Sequence, residues 1–101
     1  MIILALDALD QNLVETFHCS DLMQKEYGQT DIANFQEPRT IVLWASFLTG
    51  KNMEAKIPIK GQWEFQLNKE ETFLCFFKNP KTIDVPAYSY EQENHKEKEN
   101  S

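Results

Sequence analysis

The stretch EPRTIVLWASFLTGK, residues 37–51, is a long apolar segment enclosed between a proline and a glycine. Its β-branched and aromatic residues favour a strand by intrinsic propensity. The same residues also suit a largely buried helix, with Thr40 as its N-cap and Gly50 as the residue that ends it. The residues of this stretch alone leave both alternatives open.

A second apolar segment, IILALDALD, occupies residues 2–10. Residues 2–6 are continuously apolar rather than alternating, which is typical of a strand buried on both faces of a parallel sheet. Asp7 would then leave the carboxyl edge of that sheet, where ligands bind in open α/β proteins. Asp10 is expected to cap a following helix. The apolar stripe of that helix is expected to comprise Leu13, Val14 and Phe17. The pattern therefore predicts an α/β fold.

The remaining segments are shorter. Residues 72–77, TFLCFF, predict a strand or a buried helix, while Pro86 makes residues 83–90 an edge strand or a loop. Residues 91–101 are nearly all charged or polar and predict a flexible tail. A chain of 101 residues has room for one small domain, which we expect to span residues 1–90.

The composition is that of an acidic globular chain, with 42% hydrophobic residues, 26% charged residues and a formal net charge of -6. That charge argues against general nucleic-acid binding, which usually depends on a basic patch. Cys19 and Cys75 match no zinc or redox spacing and are expected to be buried or partly buried thiols, as in a reducing compartment. The apolar start lacks a basic region and is too short for a signal peptide or a membrane span. We therefore expect a cytoplasmic protein that binds neither nucleic acid nor membrane.

Two side chains, Asp7 and Thr40, are candidates for chemistry. A carboxylate at the end of a strand suits a divalent metal, although Asp7 also suits a helix cap. A threonine at a helix N-terminus lies beside free N–H groups that favour a phosphate, and a metal ion would activate its hydroxyl as a nucleophile. Thr40 is otherwise an ordinary cap or strand residue. Arg39 and Lys51 flank the segment, as phosphate contacts or as solvated charges.

An aspartate after an apolar run, followed 33 positions later by Thr-x9-Gly, resembles the opening of the alkaline phosphatase superfamily. The type I phosphodiesterase/nucleotide pyrophosphatase branch is the most similar. The resemblance makes TIVLWASFLTG, residues 40–50, a helix and makes Thr40 both the nucleophile and a metal ligand. It also matches Asp7 to the family's first metal-binding aspartate.

This sequence departs from the family pattern at two places. Ala8 stands where many members have glycine, next to the metal-binding aspartate. Val42 and Leu43 stand where members often have Pro-Asn, so the phosphate contact of that asparagine is missing.

The fold that the resemblance implies is the N-terminal part of a three-layer sandwich, a mainly parallel sheet flanked by helices. The implied activity is hydrolysis of a phosphate ester or nucleotide with divalent zinc or manganese. The family's further Asp and His ligands normally follow late in the sequence. The chain thus resembles an N-terminal fragment that is inactive alone and needs a partner chain supplying those ligands. The alternative is a small acidic α/β interaction module, or a split-enzyme subunit without catalysis of its own.

Overall fold

The computed structural model describes residues 1–90 and divides the chain into two compact units, Met1–Asn34 and Phe35–Ser101. The second unit is described as far as Tyr90. That residues 1–90 form one domain stays a prediction. The tail predicted at residues 91–101 lies outside the described residues.

Short helices are the only regular secondary structure in the described part of the chain. Two are α-helices, α1 at Gln11–Thr16 and α2 at Thr40–Thr49. Five are short 3-10 helices: Ser20–Leu22, Glu54–Lys56, Gln62–Glu64, Lys69–Glu71 and Phe73–Phe76. Within residues 1–90, none of these helices has the length and apolar character that a membrane crossing requires. Because the same residues contain no β-strand, the predicted α/β fold with a mainly parallel sheet is wrong.

The strand predicted at residues 2–6 shows why that prediction fails. Ile2 is 96% exposed and Leu4 is 81% exposed. Within residues 1–90, no backbone hydrogen bond reaches residues 2–6. A strand is stable only when a neighbouring strand pairs its backbone groups and other side chains cover its faces. The apolar pattern of residues 2–6 predicts a buried strand, but the described chain contains no other strand that could pair with it.

The first unit contains α1, which begins as the sequence predicts. Asp10 is its N-cap, and the Asp10 Oδ1 accepts a hydrogen bond from the Asn12 N–H at 2.8 Å. Val14 is buried, whereas Leu13 is 56% exposed and Phe17 is 72% exposed. The apolar stripe predicted for this helix is therefore covered at only one of those three positions.

The helix predicted for residues 40–50 is confirmed in the second unit. Arg39 is its N-cap and Thr40 is its first helical residue, one position from the predicted cap. Gly50 ends the helix with a φ of 73°, the left-handed conformation that glycine adopts without steric cost. Its N–H donates to the Ser46 carbonyl at 2.9 Å.

The core of the second unit forms around one face of α2. Eight buried apolar residues make up a single cluster: Ile41, Val42, Ala45, Leu48, Met53, Ile57, Leu67 and Ala87. The first four follow helical spacing, so one face of α2 is buried. The other four come from the chain after the helix, which returns to cover that face.

The segment TFLCFF, residues 72–77, forms neither a strand nor a buried α-helix. Its central four residues are a 3-10 helix capped by Thr72, whose Oγ1 accepts a hydrogen bond from the Leu74 N–H at 3.2 Å. Leu74 is buried, but Phe76 is 85% exposed. The apolar run is thus only partly taken into the core.

Residues 83–90 form a loop, one of the two alternatives that Pro86 predicts. The Leu67 N–H donates to the Ala87 carbonyl at 2.7 Å. Ala87 is 2% exposed, so this hydrogen bond joins the loop to the core.

Candidate functional site

Thr40 is the first residue of α2 and is half-buried. The first N–H groups of an α-helix have no acceptor within the helix. The Arg39 side chain makes no capping hydrogen bond to them. The N-terminal end of the helix dipole, with its partial positive charge, therefore lies at Thr40. This environment suits a phosphate oxygen, although a helix N-terminus alone does not define an activity.

Asp7 lies in an exposed turn of the first unit. The turn continues through Ala8, whose φ of 57° is in the left-handed region. Glycine adopts that region freely, whereas a residue with a Cβ atom loses about 1 kcal/mol or more there. Asp7 and Thr40 belong to different units, so a shared site that contains both stays a prediction.

The described residues do not fit a two-metal centre. Within residues 1–90, no group of three or more His, Cys, Asp or Glu side chains is placed to hold a metal ion. His18 is exposed, and His95 lies outside the described residues. A two-metal centre needs several carboxylate or imidazole ligands around two closely spaced cations. A zinc or manganese centre therefore requires ligands beyond these residues, and no catalytic step through a metal follows from them.

Arg39 has a structural role that the sequence did not indicate. One terminal nitrogen of its guanidinium donates to the Ile57 carbonyl at 2.7 Å, and the other donates to the Gln62 Oε1 at 3.0 Å. The third nitrogen, Nε, is buried and has no hydrogen-bond partner in the described part of the chain. The side chain is half-buried rather than a solvated charge. Its two hydrogen bonds tie the start of α2 to the segment after it.

A second contact of this kind involves Glu54. Its Oε1 accepts a hydrogen bond from the Gln36 N–H at 3.0 Å, and its Oε2 accepts one from the Glu37 N–H at 2.6 Å. These backbone hydrogen bonds, together with the positive charge of Arg39, hold the pKa of the Glu54 carboxyl below its ordinary value. The carboxylate therefore clamps the chain just before α2.

No pattern in the sequence predicts these two contacts, because each joins groups that lie far apart along the chain. Glu54 lies 18 and 17 positions from its two donors, and Arg39 lies 18 and 23 positions from its acceptors. Cap motifs and periodicity report neighbours within about one helical turn. Only the folded chain brings these groups together.

Ser46 and Thr49 are held inside α2 by hydrogen bonds to the preceding turn of the helix. The Ser46 Oγ donates to the Val42 carbonyl at 2.7 Å, and the Thr49 Oγ1 donates to the Ala45 carbonyl at 2.8 Å. The Ser46 Oγ also accepts from the Met53 N–H at 3.0 Å. These contacts make both hydroxyls structural and leave Thr40 as the better nucleophile candidate in the helix.

Both cysteines are free thiols. Cys19 is half-buried, as predicted, but Cys75 is exposed, so the burial predicted for that thiol is wrong. Cys75 lies in TFLCFF, and the 3-10 turns of that run direct only part of it to the core.

Comparison with known proteins found no family model, no curated protein and no solved structure that matches this chain.

Proposed function

We propose that the chain provides the nucleophile-bearing helix of a metal-dependent phosphoric ester hydrolase, of the phosphodiesterase/nucleotide pyrophosphatase kind, with Thr40 as the nucleophile. The observation that carries this proposal is the geometry of the Thr-x9-Gly motif. Its threonine opens a helix of 10 residues, and its glycine is the left-handed residue that ends the helix. A nucleophile at a helix N-terminus has N–H donors beside it that favour a phosphate.

A feature of the other unit also supports the resemblance. Ala8 has a positive φ at the position where many members of the family have glycine. Glycine is favoured at such positions because it carries no Cβ atom. The backbone next to Asp7 is thus compatible with the family pattern, as is the backbone of α2.

The chemistry that we assign to Thr40 is capture of a phosphoryl group. Its Oγ1 attacks phosphorus, the bond from phosphorus to the leaving oxygen breaks, and the hydroxyl proton passes to a base. The N–H groups of the first turn of α2 bind a phosphate oxygen. A free hydroxyl is a weak nucleophile, so this step needs activation. Within residues 1–90, no group of three or more His, Cys, Asp or Glu side chains is placed to hold an activating metal ion.

We therefore assign the remaining Asp and His ligands, and the zinc or manganese that they would hold with Asp7 and Thr40, to a partner chain. The chain alone is expected to be inactive toward a phosphate ester or nucleotide. We place the protein in the cytoplasm, where Cys19 and Cys75 would remain reduced. The net charge of -6 favours a protein or small-molecule partner over a nucleic acid.

The test uses the purified chain and orthovanadate, which adopts the five-coordinate geometry of a phosphoryl group in transfer. Amide NMR signals of Thr40, Ile41 and Val42 are expected to shift on titration. Thr40→Ala should reduce these shifts, and Thr40→Ser should retain them. Thr49→Ala, at the other end of the same helix, is the control and should not affect them. Unchanged first-turn signals in the wild type, or equal shifts in Thr40→Ala, would remove Thr40 from this role.

A hydrolysis assay completes the test. The chain alone with zinc or manganese is expected to cleave bis(4-nitrophenyl) phosphate no faster than the metal ion without protein. Turnover that disappears in Thr40→Ala would instead mean that this chain needs no ligands from a partner. Turnover that persists in Thr40→Ala would contradict the nucleophile role.

A second candidate function, a binding subunit without catalysis of its own, is favoured by the first unit. Within residues 1–34, twelve large apolar side chains are at least 44% exposed, and Val14 is the one apolar side chain that is buried. Exposed apolar surface on this scale typically marks an interaction site. The two proposals share the partner chain and differ in whether Thr40 reacts.

A further inference from the structure

We infer that the first unit, Met1–Asn34, binds an amphipathic helix of a different protein, one whose apolar face is bordered by lysine or arginine side chains. This inference rests on the binding role proposed above for that unit, and it names the kind of partner. It does not depend on the chemistry of Thr40.

The negative charge of the described chain is concentrated in the first unit. Residues 1–34 contain six carboxylates and one lysine, a formal charge of -5. All six carboxylates are exposed: Asp7, Asp10, Glu15, Asp21, Glu26 and Asp31. Residues 35–90 contain six carboxylates and seven cations, a formal charge of +1. The unit that leaves most of its large apolar side chains in water is therefore also the acidic one.

Two of the exposed apolar side chains lie side by side on α1. The Phe17 N–H donates to the Leu13 carbonyl at 3.0 Å, so the last helical turn includes the C-cap residue Phe17. Residues four positions apart on a helix lie on the same side of it. Leu13 and Phe17 are 56% and 72% exposed, and Glu15 on the same turn is exposed as well. Apolar side chains and a carboxylate thus meet the solvent together on this turn.

The charge of the first unit distinguishes between the partners that an exposed apolar surface could otherwise bind. A nucleic acid and an anionic lipid surface are both negatively charged, so each would be repelled. A second copy would bring two units of charge -5 together, and like charges across an interface cost free energy. The other unit of that copy, with a charge of +1, would not balance them. A cationic protein surface with an apolar centre complements both properties of the first unit.

The helix is assigned to the partner because α1 is too short to be the inserted element. A helix that binds in a groove presents apolar anchors over two turns, at positions i, i+3, i+4 and i+7. α1 has six residues, Gln11–Thr16, and is about 9 Å long. The first unit is therefore the receiving surface, and a longer amphipathic helix packs its apolar face on it. Lysine or arginine at the borders of that face would lie beside the exposed carboxylates.

The test uses the full chain, labelled for amide NMR, and three synthetic peptides of equal length as probes. The first peptide has leucine on one face of a helix and lysine on the other. The second replaces lysine by glutamine, and the third replaces leucine by serine, so charge and apolar face are changed separately. The leucine–lysine peptide is expected to bind one per chain and to shift the amide signals of Leu13 and Phe17. The other two should bind about tenfold more weakly, because each lacks one of the two contributions.

Matched variants locate the binding surface. Leu13→Ser and Phe17→Ser should each weaken binding of the leucine–lysine peptide by about tenfold, because each removes an apolar side chain that the peptide covers. Ile83→Ser changes an 86% exposed side chain of the second unit and should retain the affinity. Glu15→Lys should weaken binding by about threefold. Glu70→Lys makes the same change of charge in the second unit and should leave the affinity unchanged.

The outcomes distinguish the kind of partner from the binding role itself. Equal affinity for the leucine–glutamine peptide, lost in Leu13→Ser, would leave the binding role intact and overturn the requirement for a cationic partner. Equal affinity for the serine–lysine peptide would overturn the apolar contact. Unchanged signals at Leu13 and Phe17 with all three peptides would overturn the binding role of the first unit together with the inference. Self-association that Leu13→Ser abolishes would identify a second copy as the occupant and overturn the assignment to a different protein.

Discussion

The two units of this chain contain similar proportions of apolar residues and bury them very differently. In Met1–Asn34, 17 of 34 residues are hydrophobic, compared with 25 of the 56 residues at positions 35–90. Residues 1–34 include one buried hydrophobic residue, whereas residues 35–90 include nine. Apolar content therefore does not explain the difference.

The arrangement of apolar residues along the chain explains it better. In the second unit, Ile41, Val42, Ala45 and Leu48 share one face of a helix of 10 residues, and later segments return to cover that face. In the first unit the strongest apolar run, residues 2–6, is continuous, and no strand within residues 1–90 pairs with it. A core needs both a grouped apolar face and a second segment to pack on it.

The largest effect is expected when the same type of substitution, leucine to alanine, is made once in each unit and the two losses of stability are compared. Leu48→Ala removes a side chain that is 3% exposed and should lower the free energy of unfolding by about 2–5 kcal/mol, because it leaves a cavity beside α2. Leu4→Ala changes a side chain that is 81% exposed and should alter stability by no more than about 0.5 kcal/mol. Urea unfolding followed by circular dichroism measures both. Equal losses would mean that the two units do not differ in packing.

A smaller effect is expected from the contacts that anchor α2. Arg39→Met removes two side-chain hydrogen bonds and leaves the Ile57 carbonyl without its charged donor, which should cost roughly 1–3 kcal/mol. Lys51→Met is the matched control, because Lys51 is an exposed cation at the other end of the same segment. It should change stability by less than about 0.5 kcal/mol in the same unfolding experiment. A variant at Arg39 as stable as the variant at Lys51 would show that the anchor contributes nothing.

The smallest effect concerns pH. Because folding lowers the pKa of Glu54 from its ordinary value of 4.5, the clamp stabilises the second unit above that pH, and its contribution is lost as the pH falls through the folded pKa. Glu54→Gln should therefore lower the Tm most at neutral pH, and the difference from the wild type should shrink as the solution is acidified below 4.5. Thermal unfolding at a series of pH values measures this. Glu70→Gln, at an exposed carboxylate of the same unit, is the control, and a Glu54→Gln difference independent of pH would contradict the clamp.

The candidate site could be predicted only in its local part. That Thr40 opens a helix follows from residues 37–51 and the family resemblance, and the structure confirms it to within one position. The joint site of Thr40 with Asp7 could not be derived in this way, because the two lie 33 positions apart and in different units. The contacts of Arg39 and Glu54 were missed for a similar reason, since their partners lie at least 17 positions away.

The sequence by itself determined the features that depend on neighbouring residues: the cap at Asp10 and the end of α2 at Gly50. Only the tertiary structure decided which apolar residues are buried and that residues 2–6 form no strand. The physical reason is the separation along the chain between the residues that interact. A cap or a helical turn is complete within a few residues, whereas a strand and a core exist only when distant segments meet.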